Sequence, residues 1–189
     1  MLHVDWHRDV LFPSLLESVV FKASAYVYSH FYPDYSSDLL SMLMAKRIHA
    51  GVIVNFSTLL ESLKMRFRTW MEIESIYLHE HSMDLLIPML GKTDVLFAVT
   101  GDELIYCVFM LPNSAVIEVR LDSRPASEYQ SVAVSTELEY LSLPSSEVCA
   151  GKGKCTKRSK LQKNCTVEYA ECEKKVAQAL TIVKGKKYV

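Results

Sequence analysis

The chain has 189 residues, half of them hydrophobic, with 21 Lys and Arg against 22 Asp and Glu and a net charge of −1. That is enough apolar material for one well-buried domain with a smaller tail, and it excludes disorder throughout. A net charge so near zero sets up no global field towards nucleic acid or an anionic membrane, so no nucleic-acid partner is expected.

Met1 to Asp9 is polar, and the sequence holds no run of eighteen apolar residues. Neither a signal segment nor a membrane anchor is therefore expected in this chain. Residues 1–30 read as a lead-in, in which Phe21 to Tyr28 alternates as a strand would. Pro33 to Ser37 breaks that pattern, and the run from Asp38 to Met44 predicts the start of a helix. Val52-Ile53-Val54 is a short buried-strand candidate. Ser57-Thr58 with Glu61 forms a capping-box pattern opening a helix over Leu59–Met65. Met71 to Tyr77 alternates in period two and predicts a strand, and Ser82 to Leu90 predicts a short helix bent near Pro88.

The clearest segment follows. Val95–Val99 is a continuous apolar run, Thr100-Gly101-Asp102 a loop, and Glu103–Met110 a buried helix. Pro112-Asn113 is then a turn and Ala115–Val119 another strand. Strand, helix and strand in so few residues make a βαβ unit, so the chain is expected to be α/β with a Rossmann-like parallel sheet over about 31–145. Ligands of such sheets bind beyond the carboxyl ends of the strands, which directs attention to Thr100–Asp102 and Glu118.

After Pro144 the composition changes. Residues 146–166 read as a basic, cysteine-containing loop, with six Lys and Arg between Lys152 and Lys163; such a run is most simply a solvated loop. Residues 167–189 are expected to carry a terminal helix that docks through Val176, Ala179, Leu180 and Val183. Cys107 stands alone, whereas Cys149, Cys155, Cys165 and Cys172 are separated by five, nine and six residues. Four clustered cysteines point to two disulfides with three alternative pairings, ahead of a zinc site, whose cysteine pairs usually lie closer. Asn55-Phe56-Ser57 and Asn164-Cys165-Thr166 are N-glycosylation acceptor sequences. His79 and His81 flank Glu80, but without a third ligand they do not make a metal site, and none is expected. No Walker loop, nucleophile elbow or zinc-protease motif occurs.

Several of these residues stand in a familiar order: Lys46-Arg47, then Asn55 before a Leu-rich helix, then Thr93-Asp94-Val95-Leu96, Gly101, Phe109-Met110-Leu111-Pro112 and Ser114-Ala115-Val116-Ile117-Glu118. The order resembles glycosyltransferase family 61 across about Phe31 to Leu143, most strongly from Thr93 to Glu118. That resemblance implies the nucleotide-binding half of a GT-B-type glycosyltransferase in the Golgi or endoplasmic reticulum. Such an enzyme transfers a sugar from a UDP-sugar donor to a protein or glycan hydroxyl. It assigns donor binding to Arg47 (with Lys46), Thr100, Gly101, Asp102 and Glu118, and leaves the catalytic residues unknown. No cofactor is required beyond the donor, with a divalent metal an option. The partners implied are the nucleotide sugar, the acceptor and a second chain supplying the missing half. The alternative is a non-catalytic or truncated glycosyltransferase-like domain acting in protein interaction.

The chain departs from the family pattern at the loop beside the donor. Thr100 stands where the family has His, Asp102-Glu103 where it has Ala-Gly, and Gly51 where it has a second basic residue. Two carboxylates at a diphosphate site would each oppose binding by roughly 3 kcal/mol at about 5 Å and an effective dielectric of about 20.

Overall fold

The computed structural model describes residues 22, 39–48, 51–120, 128–144 and 164–187. The lead-in strand expected over Phe21–Tyr28 and most of the basic loop lie outside them; Lys22, described alone in its stretch, is helical.

Five strands form one all-parallel sheet: β1 (Leu40–Ala45), β2 (Met71–Ile76), β3 (Val95–Val99), β4 (Ala115–Val119) and β5 (Glu139–Leu143), in the order β2-β1-β3-β4-β5. Helix α1 (Phe56–Phe67) joins β1 to β2, and α2 (Met83–Gly91) joins β2 to β3. A 3-10 helix (Asp102–Phe109) joins β3 to β4, and α3 (Glu128–Ser135) joins β4 to β5. Helix α4 (Tyr169–Lys187) closes the described chain.

The handedness of parallel crossovers explains which face each connection covers. Right-handed units that grow the sheet in opposite directions must place their helices on opposite faces. From β1 to β2 the sheet grows one way, and α1 packs on one face with Leu59, Leu60, Leu63 and Phe67. From β2 through β5 it grows the other way, and α2, the 3-10 helix and α3 cover the second face with Leu86, Leu104, Cys107 and Val132. That arrangement would leave β4 and β5 bare on the first face. Helix α4 covers them through Cys172, Val176, Ala179 and Val183, all buried in the same cluster as α1. The expected docking of the terminal helix is thus observed, and the helix belongs to the domain's own core.

Three local expectations change. The residues read as a helix start, Asp38–Met44, instead hold strand β1. A short apolar run has no periodicity that separates helix from strand. Here β1 lies in mid-sheet, with Met42 and Met44 buried in one face and Leu43 and Ala45 in the other. The capping box does not form, because α1 begins three residues earlier, at Phe56, with Asn55 at its N-cap and no side-chain cap bond. Val52–Val54 makes only an isolated bridge from Ile53 to Cys165. The buried helix after β3 is present, wound as a 3-10 helix whose three-residue repeat brings Leu104, Cys107 and Met110 to the sheet. Helix α3 and strand β5 were not anticipated.

At the amino ends of the central strands, the carboxylate of Asp94 accepts the N–H of Ser41 at 2.9 Å, while the Asp94 N–H donates to the Ser41 carbonyl at 2.9 Å. Thr93 sends its hydroxyl to the carbonyl of Met89. Both buried residues therefore fasten β3 to β1 and to α2 at the edge of the sheet away from the crevice described next.

Candidate functional site at the sheet switch point

In the order β2-β1-β3-β4-β5, the connection leaving β1 turns to one face and that leaving β3 turns to the other. Their divergence opens a crevice beyond the carboxyl ends, the place where doubly wound sheets bind ligands. Lys46 and Arg47 follow β1 directly, and Thr100-Gly101 follows β3. Fold topology thus brings together residues 53 positions apart.

Arg47 organises the crevice. Its Nε donates to both carboxylate oxygens of Glu103, at 2.9 and 2.8 Å, and Nη2 lies 2.7 Å from Oε2. Nη1 donates to the Thr100 carbonyl at 2.9 Å. The pair is only partly exposed, 20% and 15% by side chain, so this forked contact is stronger than a surface ion pair. Gly101 lies beneath the guanidinium, where a Cβ would be 1.5 Å from Nη2. Its φ of +155° is also a conformation that L side chains rarely adopt, so both space and backbone demand glycine. Gly51 sits at φ +80°, which accounts for glycine where the resemblance leads one to expect a basic side chain.

Beside this pair is a cavity of about 210 Å³, lined by Lys46, Arg47, Val52, Ile53, Phe56, Ser57, Tyr77 and Val99 among others. The Lys46 ammonium lies 5.4 Å from the Phe56 ring centre and 5.5 Å from that of Tyr77, so two aromatic faces hold a cation at the cavity wall. The amino end of α1 opens onto the same space through Phe56 and Ser57, adding a positive dipole end. Ligand pockets usually enclose about 300–1,000 Å³. This cavity is smaller than that range.

A cross-chain tie holds the cavity wall. The Asn55 amide donates to the Val167 carbonyl at 2.8 Å and accepts the Val167 N–H at 2.9 Å, imitating a backbone pair. Cys165 exchanges backbone bonds with Val52 and Val54, and the exposed Asn164 accepts the N–H of Val52. Asn55 Nδ2, the atom a glycan would join, is thus engaged within the fold.

The other proposed donor residues are placed differently. Thr100 turns its hydroxyl back to the Val119 carbonyl, and Asp102 is exposed at the start of the 3-10 helix. Glu118 is fully buried beneath that helix. Its Oε2 accepts the Tyr140 hydroxyl and its Oε1 has no partner among the described residues. A ligand would reach Glu118 only if the 3-10 helix moved. Tyr140 had no signal in the sequence because β5 itself was not recognised there.

Cys107 shares this interior. Burial, reinforced by the nearby Glu118, pushes its thiol up to about 12. Burial, with a smaller effect of Glu171, does the same for Cys172, also to about 12. The expected pair of disulfides is corrected at Cys172, which is a free thiol on the core side of α4, four residues before Val176. Cys165 is disulfide-bonded, and Cys149 and Cys155 lie outside the described residues.

Among the described residues, no cluster of three or more His, Cys, Asp or Glu could hold a metal ion, and His79 and His81 are exposed. No helix among them is long and apolar enough to cross a membrane. No protein-family model matches the chain, and no curated protein matches it.

Proposed function

We propose that the chain is the donor-side half of a glycosyltransferase of the family 61 type, binding the diphosphate end of a UDP-sugar in the switch-point crevice. The observation that supports this most is the meeting of Lys46 and Arg47 with Thr100-Gly101 at the divergence of β1 and β3. Arg47 supplies a planar fork suited to phosphate oxygens, and Lys46 a compact charge at the cavity wall. Gly101 allows the backbone to approach closely. Asp102, exposed and not engaged by Arg47, is the carboxylate available to share a divalent metal with the diphosphate.

Transfer of the sugar to a protein or glycan hydroxyl requires a second wall that holds the acceptor, because much of the rate of such a reaction comes from fixing two substrates in register. In this reading a partner chain supplies that wall and the general base. A location in the secretory pathway belongs to the same proposal, and the disulfide at Cys165 is consistent with it. The alternative, a non-catalytic domain that pairs with another chain, is favoured by one observation: all three guanidinium nitrogens of Arg47 are already engaged.

Calorimetric titration of UDP and UDP-N-acetylglucosamine, with and without manganese, tests the proposal. Saturable binding that weakens at least tenfold in Lys46→Ala/Arg47→Ala is the expected result. Affinity unchanged in the double variant would remove the donor-binding reading, as would silence with both ligands and both metal conditions in the native chain and in Glu103→Gln alike.

A further inference from the structure

We infer that Glu103 is a built-in anionic gate, seated on Arg47 in the position that a ligand phosphate would occupy. This rests on the donor-binding proposal, and it specifies how that site is regulated.

Three observations converge on it. The carboxylate meets the guanidinium edge through Nε and Nη2, the arrangement with which arginine forks a phosphate as well as a carboxylate. The remaining nitrogen, Nη1, is held by the Thr100 carbonyl, so no side of the guanidinium is open to an incoming anion while the contact lasts. Glu103 also lies just after Gly101, whose backbone conformation is open to glycine alone, and in the first turn of the 3-10 helix. The anion is thus carried on the partly buried first turn, ahead of the buried Leu104 and Cys107, so that a change of the Glu103 side-chain rotamer withdraws it from Arg47 while the rest of the element stays packed on the sheet.

The gate has an energetic consequence. An anionic ligand must displace Glu103, so its apparent affinity is its affinity for the open crevice multiplied by the fraction of molecules in which Glu103 has withdrawn. A partner that draws Glu103 away from Arg47 would raise that fraction and switch the site on.

The test compares UDP and inorganic pyrophosphate binding in the presence of a chelator, where Asp102 has no metal to share, in three forms of the full chain: native, Glu103→Gln and Asp102→Asn. Both substitutions remove one negative charge from the same turn, but only the first removes the charge, and one of the two acceptor oxygens, seated on Arg47. Circular dichroism melts establish that each variant is folded, and Glu103→Ala serves if Glu103→Gln is not. The gate predicts at least tenfold tighter binding in Glu103→Gln and no more than about threefold in Asp102→Asn. Equal gains in the two variants would show a general field effect and overturn the gate. So would measurable binding by the native chain that Glu103→Gln leaves unchanged, and in that case the donor-binding proposal would stand. Silence from all three folded forms, with chelator and with manganese alike, would overturn both.

Discussion

Glu103 and Gly101 show how single residues define this site. In sequence, Asp102-Glu103 reads as two charges opposing a phosphate; in the fold, one of them is neutralised by an arginine 56 positions earlier, and the second stands in solvent. Such a pairing has no sequence signal, because it depends on two loops that meet only after β1 and β3 are laid side by side. The positions of Thr100 and Gly101 at the crevice, by contrast, were legible from the strand–loop punctuation, whereas Arg47 was reached only through the resemblance, because β1 before it reads as a helix start. The buried thiols carry a pH prediction at this scale. Cys107 and Cys172 hold their protons up to about pH 12 in the native state, whereas in the unfolded chain they release them around 9. The native state therefore binds more protons than the unfolded one between those values, and stability is full below about pH 9 and falls as the pH rises through the window. Each thiol contributes a slope of about 1.4 kcal/mol per pH unit there. Denaturant unfolding at intervals from pH 8 to 11 should show a shallower decline in Cys107→Ala, despite its lower stability at pH 8. An identical slope would mean that the Cys107 thiol ionises in the native state as readily as in the unfolded one.

At the scale of elements, strands β2, β3 and β4 and helix α2 could be read from the sequence, since their apolar patterns have unambiguous lengths and clear punctuation at Gly, Pro and Asn. Strand β1 could not, because its two-sided burial in mid-sheet erases the alternation that distinguishes a strand from a helix. Helix α3 was also hidden. It ends in a Schellman motif, in which the Leu138 N–H reaches the Ala133 carbonyl and the Glu137 N–H reaches that of Val134. The residue that turns left-handed there is Glu137, at φ +58°, where glycine would have announced the end of a helix. Placing a side chain in that conformation costs about 1–2 kcal/mol, while its exposed ion pair with Lys22 returns little. Glu137→Gly should therefore raise stability by about 0.5–1 kcal/mol in urea unfolding, after allowance for the greater freedom of the unfolded chain. A loss of stability would show that the ion pair outweighs the backbone strain.

On the scale of the whole molecule, a reversal in the direction of sheet growth produces both the binding crevice and the need for a terminal helix. The helix crosses β4 and β5 on the otherwise open face, and its ion pairs Arg66–Glu173 and Lys186–Glu139 join it to α1 and β5. Under the proposal above, the described residues form one wall of a transferase. On this account, the domain recognises a donor and depends on a partner to open the gate and complete the reaction. The most direct test of where the ligand binds is a map of backbone amide chemical shifts during titration with UDP. Changes should concentrate at Lys46, Arg47, Ser57, Thr100 and Gly101, around the carboxyl ends of β1 and β3. Changes centred instead on Ser41, Asp94 and Ser114 at the opposite edge of the sheet, or none at saturating UDP, would contradict the assignment of the switch point as a nucleotide site.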